Sequence, residues 1–480
     1  MTEARFTQGS TMRHVSVMTA TGAVGLMALF LVDAANLFYI SLLGERELAA
    51  AIGFAGTVQF LMISVSIGLS IGATALVSRA VGAGQRERAR RLAGSSMVTL
   101  VTALGIAAAG VWLARDWVLD LLGATGETHE IASRFLAIVL PGMPLLGIGM
   151  VSSGLLRAVG DARRAMWVTL GGGMIAAALD PLFIFALGLG IDGAAIVSLI
   201  SRASVAAIGL WSAARVHAMV ARPRALHVVE DSRGLFSIAG PGVATQVSTP
   251  FGMAYLTALM AEHGDSAVAG WAVVGRITAL AFGGIFALSG AVGPILGQNL
   301  GAERLDRVRA AYRDALIFAA LYVAVVWLVL AVGTEAVIAA FGLAGAGAEV
   351  FRTFAHFGAG AYLFTAALFV SNAAFNNLGR PLRSTMFNWS RDALAIPGLA
   401  ALAGAGLTAE GVVLVQAVAA MIVGTGAALA AWAYVRGLER GARAEAAVAA
   451  PPSPPFASRA AMAAVEESAR PPLAERDERR

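Results

Sequence analysis

Two aspartates lie inside long apolar segments of this chain. Asp33 lies in the run Leu29–Asn36, with Asn36 one helical turn further along on the same face, and Asp180 is followed directly by Pro181. Removal from water disfavours the charged form of a carboxyl group, so such a group can take up and release H⁺, or bind Na⁺. We expect Asp33, Asn36 and Asp180 to form a cation site, with structural pairing of each acid as the alternative.

Three arginines also lie inside apolar segments. Arg202 stands one helical turn beyond Ser198, Arg276 lies in a later segment, and Arg391 lies near the start of another, next to an aspartate. Arg202 can neutralise Asp180 as a structural ion pair. We expect Arg276 and Arg391 to pair across the molecule or with backbone carbonyls, and the alternative is that they line a cavity. Further candidates for cavity or ion-pair positions are Gln59, Phe135 and Gln246.

The composition excludes most functions of soluble proteins. Hydrophobic residues make up 58% and charged residues 14% of the 480 residues, and the mean hydropathy is +0.75, whereas soluble proteins carry roughly 25% charged residues. The absence of cysteine excludes disulfides and thiolate metal sites. The positive charge is clustered as arginines between apolar segments. We therefore expect no nucleic-acid partner, no cofactor, no metal site other than one for Na⁺, and no enzymatic activity.

Twelve apolar segments are long enough to cross a bilayer, which takes about 20 residues. They are residues 15–43, 49–78, 93–114, 131–156, 165–189, 193–214, 235–261, 267–298, 311–332, 350–378, 385–406 and 411–435. The first is too long for the apolar core of a removable signal peptide, so we expect it to be retained as a span. The sequence predicts an all-α, polytopic membrane protein.

Arginines are concentrated in every second connection between these spans. Residues 86–91, after the second span, contain four arginines, and the connections after the fourth, sixth, eighth and tenth spans are also arginine-rich. Positively charged loops remain on the cytoplasmic side of a membrane. We therefore expect both termini to lie in the cytoplasm.

A shift of 219 residues superposes the first half of the chain on the second. Val77–Arg90 overlays Leu296–Arg309, and Ala158–Gly160 overlays Asn377–Gly379. Six is an even number of spans, so both copies have the same orientation, and such parallel repeats bind substrate between or within the two lobes. We assign residues 1–14 to a cytoplasmic N-terminus, 15–216 to an N-lobe, 217–234 to a linker, 235–436 to a C-lobe and 437–480 to a disordered cytoplasmic tail.

The acids are not repeated between the lobes. The same shift places Gly252 at the position of Asp33 and Leu399 at the position of Asp180. The sequence therefore predicts membrane carboxylates, and a coupling-cation site, in the N-lobe alone.

Several short motifs occur in one order along residues 15–435. They are Asp33 with Leu43–Gly44, Ala73–Ala83, Leu155–Ala162, Leu179–Phe185 with Gly190–Ala195, and Gly297–Ala302. Together they resemble the multidrug and toxic compound extrusion (MATE) antiporters, nearest their bacterial DinF-like branch. The resemblance implies two V-shaped six-helix lobes and the export of amphipathic, often cationic compounds in exchange for H⁺ or Na⁺.

The family also suggests roles for individual residues. An aspartate of helix 1, an aspartate of helix 5 and a hydroxyl of helix 6 form its N-lobe cation site, and these map to Asp33, Asp180 and Ser198. An asparagine of helix 5 and a tyrosine of helix 4 are replaced here by Ala176 and Phe135. The resemblance therefore implies a cation site with fewer polar groups than is usual in the family.

The main alternative within transport is a flippase for lipid-linked precursors. That activity favours a cavity with several arginines, for which Arg202, Arg276 and Arg391 are the candidates. In either case we expect a monomer in the bacterial plasma membrane, in contact with lipid and with a small amphipathic substrate.

Overall fold

The twelve spans predicted from hydropathy are present as twelve helices in a computed structural model. It describes residues 4–41 and 46–449, and the side chains at several positions between 33 and 49, Asp33 and Asn36 among them, and from 443 onward lie outside that description. The N-lobe contains α1 (Thr11–Ser41), α2 (Arg46–Gly82), α3 (Arg86–Leu113), α4 (Gly126–Val139 and Met143–Ala158), α5 (Ala162–Pro181) and α6 (Gly190–Trp211). The C-lobe contains α7 (Ala225–Ala261), α8 (Asp265–Ala281 and Gly283–Gly301), α9 (Leu305–Phe341), α10 (Ala346–Thr353 and Ala359–Asn377), α11 (Pro381–Trp389 and Ile396–Ala403) and α12 (Ala409–Ala449).

Length and hydropathy mark most of these helices as membrane spans. Among the described residues, nine helices pass that test unaided, and α8 adds a tenth if its two parts, which meet at 46°, form one span. The remaining two are α7 and α11. A π-helical turn, Ser390–Ala395, divides α11 into parts of nine and eight residues, each too short to pass alone.

Two helices extend beyond the apolar segments that were predicted from hydropathy. The α7 helix begins at Ala225, inside the predicted linker, and its polar first turns pack on α3. Asp231 accepts hydrogen bonds from Arg91 Nη2 at 2.9 Å and from Ser95 Oγ at 2.7 Å. The α12 helix continues to Ala449 because the segment after residue 436 is rich in alanine, glutamate and arginine, which favour helices. Residues 450–480 of the predicted tail lie outside the described residues.

The two lobes meet along an inter-lobe seam, formed by the ends of α2 and α8 with those of α4 and α10. Arg79 Nε donates to the carbonyl of Asn377 at 2.7 Å, and Gln298 Nε2 donates to the carbonyl of Ala158 at 2.6 Å. The 219-residue shift relates the two bonds: it places Arg79 on Gln298 and Ala158 on Asn377. The contact is therefore reciprocal, as a two-fold relation between similar halves requires, and it confirms the predicted duplication.

Glycines allow the backbones of α2 and α8 to touch at this seam. A Cβ at Gly82 would stand 2.0 Å from the carbonyl oxygen of Gln298, and a Cβ at Gly301 would stand 2.0 Å from that of Arg79. Small residues permit such close approach between membrane helices. The seam is consequently closed at the arginine-rich face of the molecule.

The N-terminal segment lies over the closed seam on the arginine-rich face of the molecule. Phe6, which is 2% exposed, donates its backbone N–H to Gln298 Oε1 at 2.9 Å, and its carbonyl accepts from Arg307 Nη2 at 2.9 Å. The neighbouring Arg5 donates to the carbonyl of Gly160 at 3.1 Å. Since Gly160 belongs to the N-lobe and the other two residues to the C-lobe, this short segment bridges both.

Candidate functional site

The helices that carry the two predicted N-lobe acids run side by side. A Cβ at Gly25 of α1 would lie 3.4 Å from Thr169 Cβ of α5, and one at Gly173 of α5 would lie 3.5 Å from Val32. Further along, the rings of Tyr39 and Phe185 make an edge contact with centroids 6.0 Å apart. The two helices therefore run parallel and remain in contact from Gly25 to Tyr39 of α1.

This register places Asp180 opposite the segment of α1 that contains residues 33 and 36. Asp180 lies on α5 between Gly173 and Phe185, and it is 1% exposed. The side chains of Asp33 and Asn36 lie outside the described residues, so the structure relates them to Asp180 by the level of their backbones only. That relation is the one a shared cation site requires.

Arg202 does not neutralise Asp180 in the described structure, contrary to the structural pairing considered from the sequence. Its guanidinium donates to Gln59 Oε1 at 2.6 Å and to the carbonyl of Val139 at 2.9 Å. That carbonyl is available because α4 is interrupted directly after Val139 by a short 3₁₀ turn containing Pro141. Arg202 is 8% exposed and joins α6 to α4 and α2.

The other N-lobe candidates have less polar surroundings than the sequence suggested. Phe135 is buried in the core between α2, α4 and α6, where it packs with residues such as Leu136 and Leu140. Ser198 is half-buried on α6, and its hydroxyl makes no hydrogen bond within the described residues. Gln246, a candidate in the C-lobe, is half-buried on α7 at the position equivalent to Met27 of α1 in the repeat.

The C-lobe buries a carboxylate that the comparison of repeats did not find. Asp392 of α11 is 2% exposed and forms an ion pair with Arg391, with Nε–Oδ1 and Nη2–Oδ2 distances of 2.8 and 3.0 Å. A Cβ at Gly252 of α7 would lie 2.9 Å from Asp392 Oδ1. The prediction that only the N-lobe contains membrane carboxylates is therefore wrong. The sequence does contain a signal for this carboxylate if the C-lobe is compared with the N-lobe instead of the N-lobe with the C-lobe. The residue equivalent to Asp392 is then Gly173, which packs on α1 close to residue 33.

Arg276 differs from the two buried arginines because its side chain is exposed. It lies on the first part of α8, and within the described residues its guanidinium has neither a carboxylate nor a hydrogen-bond acceptor as partner. Among the residues that the structure describes, Arg276 does not form the ion pair across the molecule that the sequence suggested.

A polar cluster outside the spans fixes the start of α5. Asp161 accepts from the backbone N–H of Arg164 at 3.0 Å and from its guanidinium at 2.6 Å, and His217 Nε2 lies 2.8 Å from the same carboxylate. Burial of Asp161 favours the neutral acid, but these hydrogen bonds together outweigh it and hold the pKa of Asp161 below its ordinary value. The cluster ties the linker after α6 to the loop between α4 and α5.

Comparison with known proteins gives the same architecture. The family model named MatE matches residues 23–182 and 241–400, so its two matches are separated by 218 residues. The chain is 27% identical to a FAD transporter of Shewanella oneidensis over 394 residues, which cover 80% of this chain and 86% of that protein. It is 25% identical to a probable multidrug resistance protein, NorM, of Thermotoga maritima, over 61% of this chain and 64% of that one.

A solved structure is also similar. The crystal structure of an aspartate-to-asparagine mutant of the Vibrio cholerae MATE transporter VcmN superposes with a TM-score of 0.84 at 25% identity, covering 89% of this chain and 97% of that one. Two matches to one family model, arranged as a repeat, cover well over half of the chain. The chain is a multi-pass membrane protein that belongs to the MATE family of transporters, which are not enzymes.

Proposed function

We propose that this transporter exports amphipathic organic compounds, neutral or cationic, in exchange for H⁺ or Na⁺ that binds at Asp33 and Asp180. The observation that carries the proposal is the burial of Asp180 near the C-terminal end of α5, at the level of residues 33 and 36 of α1. The free-energy cost of burying a carboxylate is lower when the carboxylate binds a cation. Occupancy by a cation then favours one arrangement of α1 and α5, and this links the ion to the conformation of the lobe.

Two of the relatives support a substrate of this kind, whereas FAD, for which the third is named, is an anion. NorM of Thermotoga maritima and MepA of Staphylococcus aureus are described as multidrug resistance or export proteins, and the Shewanella relative as a FAD transporter. We extend multidrug export, which the names of NorM and MepA state, to the present chain.

The structure favours this function over the flippase alternative. A cavity for a pyrophosphate-linked lipid would draw on several arginines together, but Arg202 is bound to Gln59 and to a backbone carbonyl, and Arg391 is bound to Asp392. Of the three arginine candidates, Arg276 alone is exposed. No arginine cluster of the required kind is assembled in the described residues.

We further propose that the arginine-rich face, where the inter-lobe seam is closed, is cytoplasmic. The arginines of the even-numbered connections support this orientation. The structure then corresponds to a state that is closed to the cytoplasm, from which a bound compound leaves to the opposite side. The substrate and the ion would occupy this state in turn.

The test is exchange by purified protein in liposomes, with ethidium as substrate and an imposed pH or Na⁺ gradient. We expect Asp33→Asn to abolish gradient-driven export and Asp180→Asn to reduce it strongly, while Glu127→Gln, which changes an exposed carboxylate at the start of α4, transports like wild type. Which gradient drives export identifies the ion. Wild-type rates from Asp33→Asn would show that the carboxylate is not the coupling group.

A further inference from the structure

Two equivalent stripes of exposed residues lie on α2 and α8, in the halves of these helices that are remote from the inter-lobe seam. The stripe on α2 consists of Ala50, Gly53, Thr57 and Leu61, and the stripe on α8 consists of Ala269, Ala272, Arg276 and Leu280. Each residue of the second stripe follows its counterpart by 219 residues. The two-fold relation that forms the seam therefore also relates the stripes.

The stripes continue the faces by which the lobes touch at the seam. On α8, Gly301 and Gly297 contact α2, and Gly283 lies against α1, where its Cβ would be 3.6 Å from Met27 Cγ. A helix face repeats every 3.6 residues. On α2, which is unbroken, Gly68 lies against Val243 of α7, and Leu61 and Thr57 precede Gly68 by seven and eleven residues on the same face. That face of α2 is thus packed against the other lobe at one end and exposed at the other, and the stripe on α8 is its equivalent, in the part of α8 that precedes the 46° bend.

A face that is buried between lobes at one end and exposed at the other lines an opening between the lobes. Gly56 and Gly275, which border the two stripes at equivalent positions, agree with this, since a Cβ on either would meet nothing within 4 Å. The opening lies on the side of the molecule opposite the closed seam.

Arg276 is the one charged residue of the two stripes, and it lies deep in the span. It follows Asp265, the first residue of α8, by eleven positions, a distance of about 16 Å at 1.5 Å per residue, whereas the hydrocarbon core is about 30 Å thick. An arginine that faced lipid at this depth would cost several kcal/mol. Its lack of a partner in the described residues is consistent with a water-filled opening.

We propose that Arg276 binds a carboxylate or phosphate group of the exported compound, while Leu61 and Leu280 contact its apolar part. The proposal rests on the export function above and adds anion-bearing amphipaths to its substrate class. A guanidinium suits this role because its planar donors pair with carboxylate or phosphate oxygens through two parallel hydrogen bonds. Thr57, at the equivalent position on α2, is uncharged and donates its hydroxyl to the carbonyl of Gly53 at 3.1 Å, so Arg276 is the charged donor of the two stripes.

Riboflavin and riboflavin 5′-phosphate provide a matched pair of fluorescent probes, since they differ by one phosphate. Binding to purified protein in detergent is measured by flavin fluorescence, without any gradient. We expect wild type to bind the phosphate ester about tenfold more tightly than riboflavin, as a charge-assisted hydrogen bond predicts. Arg276→Gln should remove that preference and leave riboflavin binding unchanged, and Arg276→Lys should retain part of it. Arg86→Gln, at an exposed arginine of the closed face, is the control and should behave as wild type.

Three results would overturn the proposal: equal affinity of wild type for both probes, equal weakening of both by Arg276→Gln, or no measurable binding of the phosphate ester. The export function is judged separately. Ethidium export that requires Asp33, without any phosphate preference, would leave that function intact and refute the role of Arg276. A phosphate preference lost in Arg276→Gln, without gradient-driven export of any compound, would do the reverse.

Discussion

A single methyl group at the inter-lobe seam tests whether closure of this face is part of the transport cycle. A Cβ at Gly82 or at Gly301 would lie 2.0 Å from a backbone carbonyl oxygen of the opposite lobe. A backbone atom cannot rotate away as a flexible side chain can. We therefore expect Gly82→Ala and Gly301→Ala to hold the lobes apart here and to favour the state that is open at the arginine-rich face.

The size of the effect follows from the contact distance. Real Cβ atoms essentially never approach other atoms within 3.0 Å, so the opposing carbonyl must withdraw by about 1 Å. Overpacking a close-packed contact typically costs about 1–3 kcal/mol, and each 1.4 kcal/mol changes an equilibrium tenfold. One alanine should thus shift the ratio of open to closed molecules by about 5- to 140-fold.

The shift can be measured as a distance between spin labels. The chain contains no cysteine, so labels can be placed at Gln85 and Arg304, which are exposed, equivalent positions beyond the ends of α2 and α8. Gly82→Ala should add a population at longer distance. The matched control is Gly275→Ala, the same substitution on α8, where a Cβ meets open space. The same distance distribution for Gly82→Ala and for this control would refute the steric argument.

Three further predictions concern other charged groups. The pKa of Asp161 is lower in the folded protein than in the unfolded chain. Its contribution to folding stability is therefore complete above the unfolded pKa, about 4, and is lost as the pH falls through the folded pKa. In acid, the melting temperature of wild type should then fall more steeply than that of Asp161→Asn, and parallel curves would contradict this. Arg391→Met and Asp392→Asn should each cost about 3–5 kcal/mol of stability because a buried charge is left alone, and the double variant should recover much of it; additive losses in thermal melts would argue against the pair. A cysteine at Gln85 should react with an impermeant maleimide from the cytoplasmic side only, and labelling from outside would reverse the proposed orientation.

The repeat in the sequence contained more structural information than the hydropathy pattern. The 219-residue shift predicted which segments are equivalent, and the bonds of Arg79 and Gln298 obey it. Hydropathy gave twelve helices but placed the start of α7 ten residues late, since that part is polar and is held by contacts with α3. An apolar pattern does not report a helix that is stabilised by ion pairs at the membrane surface.

The partners of buried charges could not be predicted from spacing. The sequence made Arg202 a candidate partner for Asp180. In the structure it donates instead to Gln59 and to the carbonyl of Val139, which the break in α4 leaves available. Which acceptor a long side chain reaches depends on how helices are rotated against each other. A single sequence defines the faces of each helix but not the rotation of its neighbours.

The two lobes differ in where they hold a buried acid, and this difference bears on coupling. In the N-lobe a glycine of α5, Gly173, packs on α1 near residue 33, whereas in the C-lobe the glycine is on α7, Gly252, and the aspartate is on α11. Aspartate and glycine have thus exchanged helices at the same junction. Asp392 is neutralised by Arg391 at 2.8 Å, a cation that is part of the chain. The C-lobe acid therefore requires no ion from solution, and restriction of ion exchange to the N-lobe would follow from this fixed pair rather than from the loss of a carboxylate.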